Sequence, residues 1–134
     1  MRKKLKPWQK ETIQIVVVVV VAFGFYQGLA IALQTPLPIL SVVSDSMDPT
    51  LQIGDLIIAG KADYQVGDIA IYDLRGITIV HRITEKRGDS FIFKGDNNPV
   101  ADPETVPVER IRGKVHLAVP LLGYPRLFLH WVGI

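Results

Sequence analysis

The sequence predicts a mainly β protein: a small, mostly antiparallel β-domain with a curled or barrel-like sheet, carried on one N-terminal transmembrane helix. Three observations predict it. Within the 134 residues, Ile13 to Leu33 form one long run without a charge. About 100 residues follow that run, enough for one modest hydrophobic core. In them, short β-branched and aromatic stretches alternate with Gly-Asp turn signals, at the close spacing of an antiparallel sheet.

Residues 1–12 carry Arg2, Lys3, Lys4, Lys6 and Lys10 against a single acid, Glu11, and read as a basic cytoplasmic flank. The apolar run behind them includes six consecutive valines, Val16 to Val21. At about 1.5 Å per residue it spans roughly the 30 Å of a bilayer's hydrocarbon core, so residues 13–34 are assigned to a transmembrane helix. A cleaved signal peptide is the competing reading, and Ala30-Ile31-Ala32 has the small-x-small form of a cleavage site. The apolar run is too long for it. The positive-inside rule keeps the N-terminus in the cytoplasm and sends everything after Thr35 outside, at a cell membrane or an endoplasmic-reticulum membrane. Pro36 and Pro38 then end the helix and stiffen a short link.

Residues 35–134 hold the β-rich domain. Strands are predicted at Ile39 to Val43, Asp55 to Ala59, Asp68 to Tyr72, Ile77 to Ile83, Ser90 to Lys94 and Arg110 to Val119. Asp102-Pro103-Glu104-Thr105 predicts a single helical turn, with the aspartate as cap and proline in first position. The tail, residues 124–134, is apolar with aromatics near both ends, and three placements stay open: lying in the membrane interface, packing on the domain, or beginning a second span.

Composition excludes several classes of function. The net charge is only +2 and its basic excess sits at the N-terminus, so no broad basic face for nucleic acid is expected. The absence of cysteine removes disulfides, thiolate chemistry and cysteine-bound zinc. Histidines are unpaired in spacing and the acids are scattered, so no metal site and no cofactor are expected.

The stretch Ser44-Asp45-Ser46-Met47-Asp48-Pro49-Thr50 begins just beyond the membrane run and suits a presented nucleophile. A serine hydroxyl needs a base within hydrogen-bond reach, and a third group to orient that base. His81, in Ile77-Thr78-Ile79-Val80-His81-Arg82-Ile83, shares a strand face with Ile77, Ile79 and Ile83, where an imidazole needs a polar partner. Taken alone it would be a satisfied core histidine. The loop Lys94-Gly95-Asp96-Asn97-Asn98-Pro99-Val100-Ala101-Asp102-Pro103 supplies two carboxylates. On spacing alone Asp96 is a turn residue and Asp102 a helix cap, yet either could hold the second ring nitrogen of His81. His116 and His130 lack such surroundings and read as structural or interfacial.

These boxes, together with Gly67-Asp68-Ile69-Ala70-Ile71-Tyr72, occur in the order seen in type I signal peptidases, which the chain resembles over nearly everything after Leu40. Histidine before Arg82, where bacterial members carry lysine, resembles the archaeal and endoplasmic-reticulum branch. The resemblance implies a membrane-anchored serine endopeptidase with Ser46 as nucleophile and His81 as general base. It implies Asp102 as first choice to orient His81, with Asp96 sharing that part or bracing the loop. It implies Ser44 as a helper of the oxyanion, and Met47 beside the substrate groove. Asp45 departs from the family, where many members have glycine. The implied partners are signal peptides of preproteins with small residues before the cut, membrane lipid, and accessory subunits or a secretion translocon. Two other readings remain: a self-cleaving repressor-type protease, which would need a lysine base, and a non-catalytic membrane-anchored β-module that binds or scaffolds proteins.

Overall fold

The computed structural model describes residues 4–120, 122, 128–129 and 131–133. The chain enters through α1 (Pro7–Ala32). Proline suits the first helical position because its missing N–H would have no partner there. The side-chain oxygen of Gln9 accepts the Lys6 N–H at 2.8 Å, closing that end. The helix begins upstream of the apolar run, so residues 7–12 of the basic flank are helical too. None of its residues is buried; valines and phenylalanines face outward on every side, and it is long and apolar enough to cross a membrane.

The end of the helix is fastened to the sheet rather than hung from a loose link. Thr35 is 4% exposed, its hydroxyl donates to the Arg112 carbonyl at 2.6 Å, and the same oxygen accepts the Leu37 N–H at 3.2 Å. The Lys61 N–H reaches Leu33 O at 2.8 Å, and the Ala59 N–H reaches Pro38 O at 3.0 Å.

Among the described residues seven strands follow: β1 (Ile39–Ser41), β2 (Leu56–Gly60), β3 (Ile69–Leu74), β4 (Ile77–Arg87), β5 (Ser90–Lys94), β6 (Val106–Pro107) and β7 (Ile111–Val119). They form one sheet in the order β1-β2-β7-β3-β4-β5-β6, with every pairing antiparallel. The sheet does not close, so the curl is realised and the barrel is not. Register shifts between β2 and β7, β3 and β7, and β4 and β5 supply the bends.

Curling lets the central strand be covered on both faces. On β3, Ala70 and Tyr72 pack with Ile83, Phe91, Phe93, Val106 and Ile111, whereas Ile71 points the other way into Val42, Met47, Leu51, Ile57 and Ala59. The second cluster is where the serine stretch is seated.

One local expectation fails. No helical turn forms at 102–105, and Asp102 is not a helix cap; the only helical element of this region is the 3₁₀ turn Val108–Arg110, after the short β6. The reason is competition for Asp102, whose N–H goes to Phe93 O at 2.8 Å while its carboxylate turns inward. The expected tail at 124–134 falls largely outside the described residues; Phe128, Leu129, Trp131 and Val132 are exposed.

Candidate active site

The serine stretch is irregular in backbone but fixed by what it buries. Met47 and Leu51 are 2% exposed and sit in the apolar cluster under β2 and β3, so Ser46 is held immediately beside a core anchor. The loop after β5 closes over it from the other side. The Asn97 N–H donates to Ser46 O at 2.9 Å, and the Asn97 amide donates to Asp45 O at 3.1 Å. The Asp96 N–H faces the Met47 sulfur at 3.5 Å.

His81 stands on β4 directly across from Ala70, and Ile79 stands across from Tyr72. Residues paired across antiparallel strands share a face, so His81, Tyr72, Ile79 and Ile83 point together and Val80 and Arg82 point away. The expected alternation is therefore found, except that Ile77, at the strand's start, is exposed. His81 itself is buried, 7% exposed, and both ring nitrogens are engaged. Nδ1 lies 2.7 Å from Asp102 Oδ2, and Nε2 lies 3.1 Å from Ser46 Oγ. A carboxylate only accepts, so Nδ1 carries the proton and Nε2 presents its lone pair to the serine hydroxyl. That is the tautomer a base needs.

The loop's two aspartates take different partners. Asp102 meets His81 and also receives a hydrogen bond from the Tyr72 hydroxyl. Asp96 is clasped by the Arg82 guanidinium at 2.8 and 2.7 Å and by Thr50 Oγ1 at 2.6 Å. Arg82 also donates to Gly67 O at 2.8 Å. The hydrogen bonds from Arg82 hold the Asp96 carboxyl down to about 2, with Thr50 adding to the effect. Asp96 thus ties the acidic loop, the serine stretch and β4 together. Burial, reinforced by the neighbouring Asp102, pushes the Tyr72 phenol far above its usual range.

Ser44 Oγ lies 3.2 Å from Ser46 Oγ, and Asp45 is exposed. A groove of about 560 Å³ opens in front of the hydroxyls, walled by residues 40–44 on one side and 77–81 on the other, with Met47, Leu51 and Asn98 completing it. Met47 is therefore both a core residue and part of the groove. His116 is exposed on β7, away from these groups, and His130 lies outside the described residues. No cluster able to hold a metal occurs among the described residues.

Three contributors went unassigned in the sequence: Tyr72, Arg82 and Thr50. Tyr72 had a readable signal, since a tyrosine in a buried strand requires a partner for its hydroxyl. The pairing of Thr50 and Arg82 with Asp96 depends on loop geometry and had none.

Residues 25–116 match the Peptidase S24-like family. The chain is 35% identical over 125 residues to the signal peptidase complex catalytic subunit sec11 of Pyrenophora tritici-repentis, covering 81% of this chain and 72% of that protein. It is likewise 35% identical to the SEC11 subunit of Pyricularia oryzae, covering 81% and 73%. For the sec11 subunit of Neurospora crassa the identity is 34%, with the same coverage.

Proposed function

The chain belongs to the type I signal peptidases, in the branch of the endoplasmic-reticulum enzymes, and on that footing we propose that Ser46 is its nucleophile and His81 its general base. Its activity is the cleavage of signal peptides from preproteins. What carries the assignment of residues is the unbroken run from Ser46 Oγ to His81 Nε2 and from His81 Nδ1 to Asp102.

In the first step His81 Nε2 takes the Ser46 proton as Oγ attacks the scissile carbonyl. Asp102 holds the ring and stabilises the imidazolium. The Ser46 N–H and the Ser44 hydroxyl receive the oxyanion, a contribution worth about 3 kcal/mol per donor in comparable sites. The imidazolium then protonates the leaving amine, and the acyl-enzyme is hydrolysed by water with His81 again as base. The substrate lies extended in the groove between residues 40–44 and 77–81, with small residues before the cut. Asp96 is a brace held by Arg82, outside proton transfer.

The division of the chain follows: 1–12 cytoplasmic, 13–34 membrane-spanning, and 35–134 a catalytic domain on the far side. The membrane is that of the secretory route, the endoplasmic reticulum or the cell membrane, and accessory subunits join the chain there, as the names of its relatives say of those proteins. The basic flank carries the orientation. Because the chain has no cysteine, single introduced cysteines labelled by an impermeant reagent report the topology without background.

The test is cleavage of a reporter preprotein in liposomes. Ser46→Ala and His81→Ala, each folded, lose activity by at least about 10³-fold. The wild-type rate falls on the acid side, because a protonated imidazole cannot take the serine proton. Undiminished cleavage by Ser46→Ala would sink the assignment.

A further inference from the structure

The phenol of Tyr72 is fully buried at the centre of the sheet, beside groups that the reaction scheme uses and yet outside that scheme. Resting on the Ser46–His81–Asp102 reading above, we propose that Tyr72 is a positioning residue of the peptidase, its hydroxyl fixing the Asp102 carboxylate in the orientation that receives the His81 Nδ1–H.

Asp102 comes from a loop without regular structure, and its backbone is held by a bond to Phe93 O at 2.8 Å. That bond leaves the carboxyl torsion unrestrained. The Tyr72 hydroxyl supplies the restraint, because it donates to Oδ2, the same oxygen that accepts from His81. The two donors sit 3.5 Å apart across that oxygen. Both are donors in this tautomer, so the approach is a consequence of sharing and not a bond between them. Tyr72 is itself immobilised: its ring lies 4.2 Å from that of Phe93 and meets the His81 ring edge-on at 6.3 Å. β3 is the central strand, covered on both faces, so the hydroxyl is delivered from a strand packed on both sides. Burial and the adjacent carboxylate keep the phenol protonated, and it remains a donor wherever His81 is neutral.

Sharing has an electrostatic effect as well. A carboxylate oxygen that already accepts from a phenol attracts an imidazolium less strongly, which favours the neutral base. Among the described residues, the groups that meet His81 are Tyr72 from β3, Asp102 from the acidic loop and the Ser46 hydroxyl from the serine stretch. Arg82 points to the other face of β4 and is matched by Asp96. Lys94 on β5 donates to Gly95 O, and Asp45 is exposed at the serine stretch.

The experiment is Tyr72→Phe in the full chain, reconstituted in liposomes, with Ser46→Ala and Asp102→Asn measured beside it. Tyr72→Phe keeps the ring and removes one hydrogen bond to a charged group, so kcat falls about tenfold with little change in KM. The acid limb of kcat/KM moves to higher pH, and labelling of Ser46 by a fluorophosphonate slows in step. In the Asp102→Asn background the same change has no further effect. An unshifted pH profile overturns the proposal, whether activity is retained or falls only in proportion to lost folded protein. Cleavage by Ser46→Ala would instead bring down the underlying serine-histidine reading, an outcome separable from the behaviour of Tyr72.

Discussion

Asp96 and Asp102 leave the same strand in one loop, and their partners divide them: Arg82 and Thr50 for the first, His81 and Tyr72 for the second. The Asp96 carboxyl is lowered from 3.8 to about 2, which fixes the sign of its effect on stability. A depressed folded value means that the contribution is complete above the ordinary value and is lost as pH falls through the folded one. The pair is partly exposed, so the contribution is about 1 kcal/mol. Asp96→Asn is therefore less stable than wild type near neutral pH, and the difference closes between 3.8 and about 2. Chemical unfolding in detergent across that range checks it; a difference independent of pH would mean that the charge is not what stabilises. The sequence offered both carboxylates to the histidine, and only the family resemblance put Asp102 first; spacing alone could not rank them. Their ranking depends on which way each side chain turns within an irregular loop, and no periodicity encodes that.

At the scale of elements, most strands were legible because alternation and Gly-Asp turns mark them; β5 falls on the residues expected for it, Ser90 to Lys94. β4 runs on to Arg87, beyond the apolar stretch, because pairing with β5 carries its polar end. The two-residue β6 was illegible, being a product of pairing with β5 and not of local preference, and so was the 3₁₀ turn that follows it. Among the described glycines, the one with least room for a side chain is Gly95, where the acidic loop passes over the serine stretch. A Cβ there would stand 2.5 Å from Ser46 O and 2.6 Å from the Asn98 amide nitrogen. The first of these neighbours is backbone and cannot swing aside. Gly95→Ala must push the acidic loop off Ser46, at about 1–3 kcal/mol of stability. With Ser46 as the proposed nucleophile, a shift of about 1 Å there costs about a hundredfold in rate. The expected result is a folded variant with kcat/KM down by that order, measured on the reporter preprotein; near-normal turnover would show that the loop relaxes freely.

For the whole molecule, the apolar run and the meandering strands announced an anchored β-domain, but not how the two are joined. Paired prolines after the helix predicted a stiff link; the structure adds a clasp, with Thr35 buried and bonded to β7. Thr35→Val keeps the shape and leaves the Arg112 carbonyl and the Leu37 N–H without their partner, at about 1–3 kcal/mol. Thr35→Ser restores both bonds. The valine variant should cleave a short soluble peptide normally and a membrane-inserted preprotein poorly, with serine restoring the latter. Equal losses on both substrates would mean that the clasp only stabilises the domain.

The clasp also changes the kind of search the enzyme conducts. A domain on a slack tether would tumble through a hemisphere, and its groove would seldom face a given chain. With α1 across a bilayer, as proposed, a domain clasped to the helix end at Thr35 would sweep its groove over far less of that hemisphere.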